Sequence, residues 1–135
     1  MTGVVIDSSI WSLALRRKAP SARAAEMIKR LVAEDRALIF GAIRQEVLSG
    51  IRHVEQFERL RDRLRVFPDL RLEQADYELA AEFFNRCRSQ GIQGSNTDLL
   101  ICAVAYRRQA DILTADRDFQ LFSAVIPVVL MDWAG

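Results

Sequence analysis

Short β-branched runs alternating with longer segments of helical periodicity predict an α/β domain with a mostly parallel sheet. Three observations carry that expectation. Val4-Val5-Ile6 and Asp111-Ile112-Leu113-Thr114 are apolar runs of the kind that are buried on both faces of a sheet. Leu99 to Ala105 is apolar all round, as a helix inside such a domain should be. The two runs also lead directly to acids, Asp7 and Asp116, which places carboxylates at strand ends.

In chain order, residues 3 to 7 read as the first strand. A short helix follows from Ser9 to Arg17 and breaks at Ala19-Pro20. Ser21 caps the next helix, with Ala24, Ile28, Leu31 and Val32 at helical spacing. Ala37 to Phe40 is a second strand, and Gly41 turns the chain into a helix around Glu46. Val54 to Arg65 is a further helix that ends near Phe67-Pro68. Val66-Phe67 and Leu70-Arg71-Leu72 fit either a loop or a short extended segment. Glu73 to Arg88 carries Ala75, Leu79, Phe83 and Cys87 on one stripe, with Gly91 beyond its end. Asn96 to Arg108 is the apolar helix, and strands at Ile112 to Thr114 and Val128 to Leu130 flank a short helix at Phe119 to Ser123.

Half of the 135 residues are hydrophobic and 27% are charged, the balance of one soluble domain over 1–135 with its own core. A net charge of +1 offers no whole-molecule field for nucleic acid, so any such contact must be a local patch. No apolar stretch approaches a membrane span, and the amino terminus lacks the pattern of a signal peptide. A cytoplasmic protein with no membrane contact is expected. Cys87 and Cys102 lie in apolar helical segments and are expected in the core as thiols. His53 is the only histidine, which excludes most zinc and triad chemistry; its expected place is the surface or a helix cap.

Four separated acids, Asp7, Glu46, Asp98 and Asp116, each stand at the edge of an apolar run. In open α/β sheets ligands bind beyond the carboxyl ends of the strands, so acids placed there can meet in one crevice. Each also has a purely structural role open to it. Asp7 can cap the helix that starts near Ser9, Asp98 can close a capping box with Ser95, and Asp116 can cap the helix containing Phe119. Glu46 can pair with Arg44 or Arg52, although small Ala42 and Gly50 one turn to either side leave room for a cation or substrate. Capping acids need not converge; catalytic ones must. Clustered carboxylates repel, and an all-oxygen set suits Mg²⁺ or Mn²⁺ rather than zinc. Such a cation favours phosphodiester hydrolysis by an in-line water.

At these residues the chain resembles a known family. Val4-Val5-Ile6-Asp7-Ser8-Ser9-Ile10-Trp11, Glu46-Val47-Leu48-Ser49-Gly50, Asp98-Leu99-Leu100-Ile101-Cys102-Ala103 and Leu113-Thr114-Ala115-Asp116-Arg117-Asp118-Phe119 resemble, in order, the motifs of PIN-domain ribonucleases. Within them the chain is most similar to the VapC toxins of type II toxin–antitoxin modules. The resemblance spans essentially the whole chain and implies a three-layer PIN-like fold with a sheet of about five strands. It makes Asp7, Glu46, Asp98 and Asp116 the catalytic, metal-binding quartet and Asp118 an auxiliary metal acid. Ser8 and Thr114 stand where the family has hydroxyls that orient the aspartates. It further implies Mg²⁺ or Mn²⁺ as cofactor, RNA as substrate, a homodimer, and inhibition by a cognate VapB-like antitoxin. Cys102 departs mildly from the Ala that the family often has there.

Two basic clusters bear on the substrate. Arg16, Arg17 and Lys18 are candidates for an RNA backbone, with a solvated face as the alternative. For Arg59, Arg61, Arg63 and Arg65 the solvated face is preferred, because Glu58 and Asp62 offer intrahelical partners. Trp11 is expected in core or dimer packing, and Trp133 against the last strand. A phospho-accepting receiver domain would want an acidic pair after the first strand and a late lysine; Ser8-Ser9 follow Asp7, and no lysine follows Lys29. The remaining alternatives are a PIN-like interaction module without strong catalysis and a PIN nuclease outside a toxin–antitoxin module.

Overall fold

The computed structural model describes residues 1–16 and 18–133. Strand β1 (Val4–Ile6) is the middle of a three-stranded parallel sheet, between β2 (Ala37–Leu38) and β3 (Asp111–Leu113). Among the described residues seven helices accompany it: α1 (Ser8–Leu15), α2 (Ala22–Ala33), α3 (Gly41–Leu48), α4 (Val54–Leu64), α5 (Gln74–Ser89), α6 (Asn96–Arg107) and α7 (Asp118–Ser123). All three β1 side chains are buried, as parallel strands covered on both faces require. Helix α6 packs on β1 and β3 and pairs with α5, while α1 packs against α2 and α3.

Among the described residues the sheet has three strands, not about five. The two missing members are present as extended segments, each making little contact with an edge. Leu70 N–H donates to Ile39 O at 2.8 Å beyond β2. On the other side Ile112 and Leu130 form a single parallel bridge, with Ile112 N–H on Val129 O and Met131 N–H on Ile112 O. Pro68 and Pro127 stand just before these segments, and proline has no N–H to give to a ladder. Ile39 and Phe40, expected in the second strand, are buried but fall outside β2.

Two helical stripes also lie elsewhere than the spacing suggested. On α5 the buried residues are Asp76, Ala80, Phe83 and Cys87, so Ala75 and Leu79 sit at the margin. On α2, Met27 is buried and Val32 is exposed. The stripe cannot tell which flank of a helix meets its neighbour; packing decides that. Ser21 caps α2 as expected, its hydroxyl accepting from Ala24 N–H at 3.1 Å. Gly91 ends α5 at φ 75°, with Gly91 N–H on Arg88 O and Ile92 N–H on Cys87 O, a left-handed turn that glycine makes without strain.

Trp11 belongs to the core, its Nε1 donating to Ile6 O at 3.1 Å and its ring meeting Phe67 at 4.9 Å. Both cysteines are buried and unpaired. His53 is exposed at the start of α4 and makes no side-chain cap. No helix among the described residues is long and apolar enough to cross a membrane.

Candidate active site

Register brings the first acids together. Ile6 pairs with Leu113, so the next residue of each parallel strand, Asp7 and Thr114, leaves the sheet on the same edge. Asp7 N–H donates to Leu113 O at 2.9 Å, which ties the two strand ends. Thr114 Oγ1 then donates to Asp7 Oδ2 at 2.8 Å and accepts from Asp116 N–H at 3.0 Å. Ser9 Oγ adds a second donor to Asp7 Oδ2 at 2.7 Å, and accepts from Ala115 N–H at 3.0 Å. Asp7 is 3% exposed, so these donors replace the water it has lost.

Glu46 joins through Ser8. Ser8 Oγ donates to Glu46 Oε1 at 2.8 Å, a contact across 38 residues, and stands 3.5 Å from Asp7 Oδ1. The pairing of Glu46 with Arg44 does not occur; Arg44 holds Asp69 instead, at 2.9 Å. A chain of hydrogen bonds thus runs from Glu46 through Ser8, Asp7 and Thr114 to Asp116. Ser8 and Thr114, expected to orient the aspartates, donate to Glu46 and to Asp7 respectively. Ser9 does as much for Asp7 and was not singled out by the sequence, although its place beside Ser8 was the available signal.

Asp98 approaches from α6. Its Oδ2 accepts from Ser95 N–H at 3.2 Å, and its own N–H donates to Ser95 Oγ at 3.0 Å, completing a capping box. Burial raises its pKa to about 6 against the pull of the Ser95 hydrogen bonds, and the charges of Asp7 and Asp116 raise it further. Asp7 and Asp116 are therefore near enough to Asp98 for their charges to be felt there. Asp116 also receives Asp118 N–H on Oδ1 at 2.9 Å, at the start of α7, so each aspartate of the quartet does serve a helix terminus. Capping and convergence coexist here.

The carboxylates share a pattern of one anchored and one available oxygen. Among the described residues, Glu46 Oε2, Asp98 Oδ1 and Asp116 Oδ2 take no hydrogen bond, and Asp7 Oδ1 takes only the long Ser8 contact. Burial keeps the neighbouring Cys102 thiol protonated by pushing its pKa up, so no soft ligand competes. Oxygen donors with unrelieved negative charge fit a hard divalent cation. As the side chains are placed, no three His, Cys, Asp or Glu among the described residues are arranged to hold an ion, so the acids form a linked row rather than a closed cage. Asp118 is exposed at the rim.

A cleft of about 910 Å³ lies to one side of this row. Thr114, Asp116, Arg117, Gln120 and Trp133 line it, while Asp7, Glu46 and Asp98 do not. Trp133 is half-buried with the Arg23 guanidinium 5.7 Å from its ring centre. Of the first basic cluster, Arg16 and Lys18 lie at the far end of α1 from Asp7; Arg17 is outside the described residues.

A second acid that the sequence did not mark is fully buried. Asp76 accepts from Arg107 Nη1 at 2.8 Å, Arg108 Nη1 at 2.9 Å and Glu73 N–H at 2.7 Å. Those bonds outweigh burial and hold its pKa at about 2. It locks the start of α5 to the end of α6, remote in sequence from the quartet, and is structural.

The family model described as PIN domain matches residues 4–124. Ribonuclease VapC11 of Mycobacterium tuberculosis is 31% identical over 126 residues, covering 90% of this chain and 92% of that protein. VapC ribonuclease Mb1587 of Mycobacterium bovis matches to the same extent. In fold the chain is similar to FitAcB from Neisseria gonorrhoeae, with TM-score 0.76, 18% identity and 96% of each chain covered. It is also similar to VapBC2 from Rickettsia felis bound to a DNA fragment from their promoter, with TM-score 0.74, 18% identity, and 96% and 98% covered.

Proposed function

The chain belongs to the PIN-domain family, and from that premise we propose that it is a metal-dependent endoribonuclease, the toxin of a VapBC-type module. The observation that carries the reading is the row Glu46–Ser8–Asp7–Thr114–Asp116 with Asp98 facing it, each acid keeping an oxygen free. Asp7, Glu46, Asp98 and Asp116 would hold Mg²⁺ or Mn²⁺, with Asp118 as an auxiliary acid at the rim. When bound, the cation supplies charge neutralisation at the phosphoryl oxygens and acidification of a water.

The chain's own residues do the rest. Ser9 and Thr114 both donate to Asp7 Oδ2, which fixes the carboxylate's rotation and turns Oδ1 towards Ser8 and Glu46. Ser8 holds Glu46 at the same edge of the sheet. Asp98, on the buried helix, closes the site from the α6 side. Such preorganisation removes the cost of gathering charges during the reaction. No histidine stands at the row to serve as a base, the single histidine, His53, being exposed at the start of α4.

The substrate in this reading is RNA, the working form a homodimer, the partner a VapB-like antitoxin, and the place of action the cytoplasm. The names of the ribonuclease relatives support the substrate and the titles of the toxin–antitoxin complexes support the antitoxin; the dimer and the location rest on the family resemblance alone. The test is incubation of purified protein with total RNA, with Mg²⁺ or with EDTA. Cleavage is expected only with the metal, and Asp7→Asn is expected to lose about 10²-fold or more of the rate while circular dichroism stays native. An Asp7→Asn protein that cuts at the wild-type rate would end the assignment.

A further inference from the structure

Two basic clusters that are distant in sequence form one cleft. Arg16 and Lys18, beyond the end of α1, and Arg59 and Arg63, one turn apart on α4, line a hollow of about 320 Å³ with Leu15, Gln56 and Leu60. Gln56 Nε2 donates to Arg16 O at 3.4 Å and ties the two elements together. Among the described residues no acid lines the cleft.

The arginines of α4 divide by face. Arg61 and Arg65 turn to Asp62, at 3.1 and 3.9 Å. Arg59 and Arg63 make no ion pair among the described residues, nor do Arg16 and Lys18. The expectation that this helix merely presents a solvated, self-paired face therefore holds for one of its sides only. On the other, four cations line one hollow with no acid among the described residues beside them, which favours an anion there. Part of that charge complements the negative end of α1, but α4 contributes its cations from mid-helix, where no such end exists.

We propose that this cleft is a phosphate-binding subsite for the backbone of single-stranded RNA. The proposal rests on the ribonuclease reading and names where the strand is held away from the acids. Helix α1 has Asp7 at its start and Arg16 at its end, so the cleft lies roughly 12 Å, eight residues of rise, from the carboxylates. A strand seated there would present a later phosphate to Asp7 and Glu46. Two arginines one turn apart give forked donors that suit phosphate oxygens.

The test uses the full chain in EDTA, so that binding is read without cleavage, with a labelled single-stranded RNA oligonucleotide titrated at several salt concentrations. The doubly reversed Arg59→Glu, Arg63→Glu protein is expected to bind at least about tenfold more weakly, and to lower the slope of log affinity against log salt by about 1.4, two contacts' worth for a single strand. Arg59→Lys, Arg63→Lys should restore most of the slope. Arg61→Glu, Arg65→Glu carries the same charge change on the Asp62 side and should leave the slope near wild type. Equal losses in both Glu pairs, an unchanged slope in the first, or no RNA binding by the wild type overturns the proposal. Loss of poly-glutamate binding with RNA affinity intact assigns the cleft to an acidic protein instead. Cleavage of the same RNA in Mg²⁺ is scored separately: cleavage with cleft-independent binding sinks the subsite alone, and cleft-dependent binding without cleavage sinks the nuclease reading alone.

Discussion

Replacing Asp98 by Asn should make the protein more stable while disabling it. Asp98 ionises in the fold only near pH 6, against an ordinary 3.8, because it is half-buried and faces Asp7 and Asp116. The difference of about 2.2 pH units corresponds to roughly 3 kcal/mol at 1.36 kcal/mol per unit. Asp98 retains solvent contact, so screening reduces this to about 1–2 kcal/mol. The sign follows from proton uptake. Between 3.8 and 6 the native state binds more protons than the unfolded chain, so stability falls as pH rises through that window, and above about 7 the full cost of the ionised Asp98 is in place. Asn keeps an acceptor for Ser95 N–H and so keeps the capping box. At pH 7.5 in EDTA the variant should melt about 3–8 °C above wild type, and the gap should close as pH falls towards 4. Thermal unfolding followed by circular dichroism at both pH values reads this directly. An Asp98→Asn protein no more stable than wild type at pH 7.5, or one whose advantage ignores pH, would refute the view that Asp98 sits in an uncompensated field. Native sites commonly carry such a cost for function.

Millimolar Mg²⁺ or Mn²⁺ should stabilise the wild type, by about 1.4 kcal/mol at ten times its dissociation constant, and so raise its melting temperature more than that of Asp98→Asn; equal shifts in the two would remove Asp98 from the cation site. Asp76→Ala should cost about 3 kcal/mol, near the lower end for breaking a buried charged cluster because Arg107 and Arg108 keep some water. Urea unfolding measures it, with nuclease activity per folded molecule unchanged. The depressed pKa of Asp76 means that wild-type stability should fall between about pH 4 and 2, and that Asp76→Ala should lack this acid limb.

Particular residues show how far the chain could be read by itself. Ser21 as a cap, Gly91 as a helix stop and the strands on either side of Asp7 and Asp116 are local signals, written in neighbouring residues. The four acids could be picked out as candidates for the same reason, since each adjoins an apolar run. Asp76 was not, because its partners lie 31 and 32 residues away and nothing near it distinguishes it from a capping acid. Ser8 to Glu46 is equally long-range. Arg59 and Arg63 were read with Asp62 because helical spacing offers that pairing; only the approach of α1 showed that they face the other way.

Periodicity, turn residues and β-branched runs determined the element order, the parallel α/β class and the candidate acids, because those depend on interactions within a few residues. Tertiary structure decided that the sheet keeps three strands, which flank of α2 and α5 is buried, that the carboxylates line up through Ser8, Ser9 and Thr114, and that two basic segments share one cleft. Those outcomes depend on strand register and on the packing of helices far apart in the chain, and no local pattern specifies either.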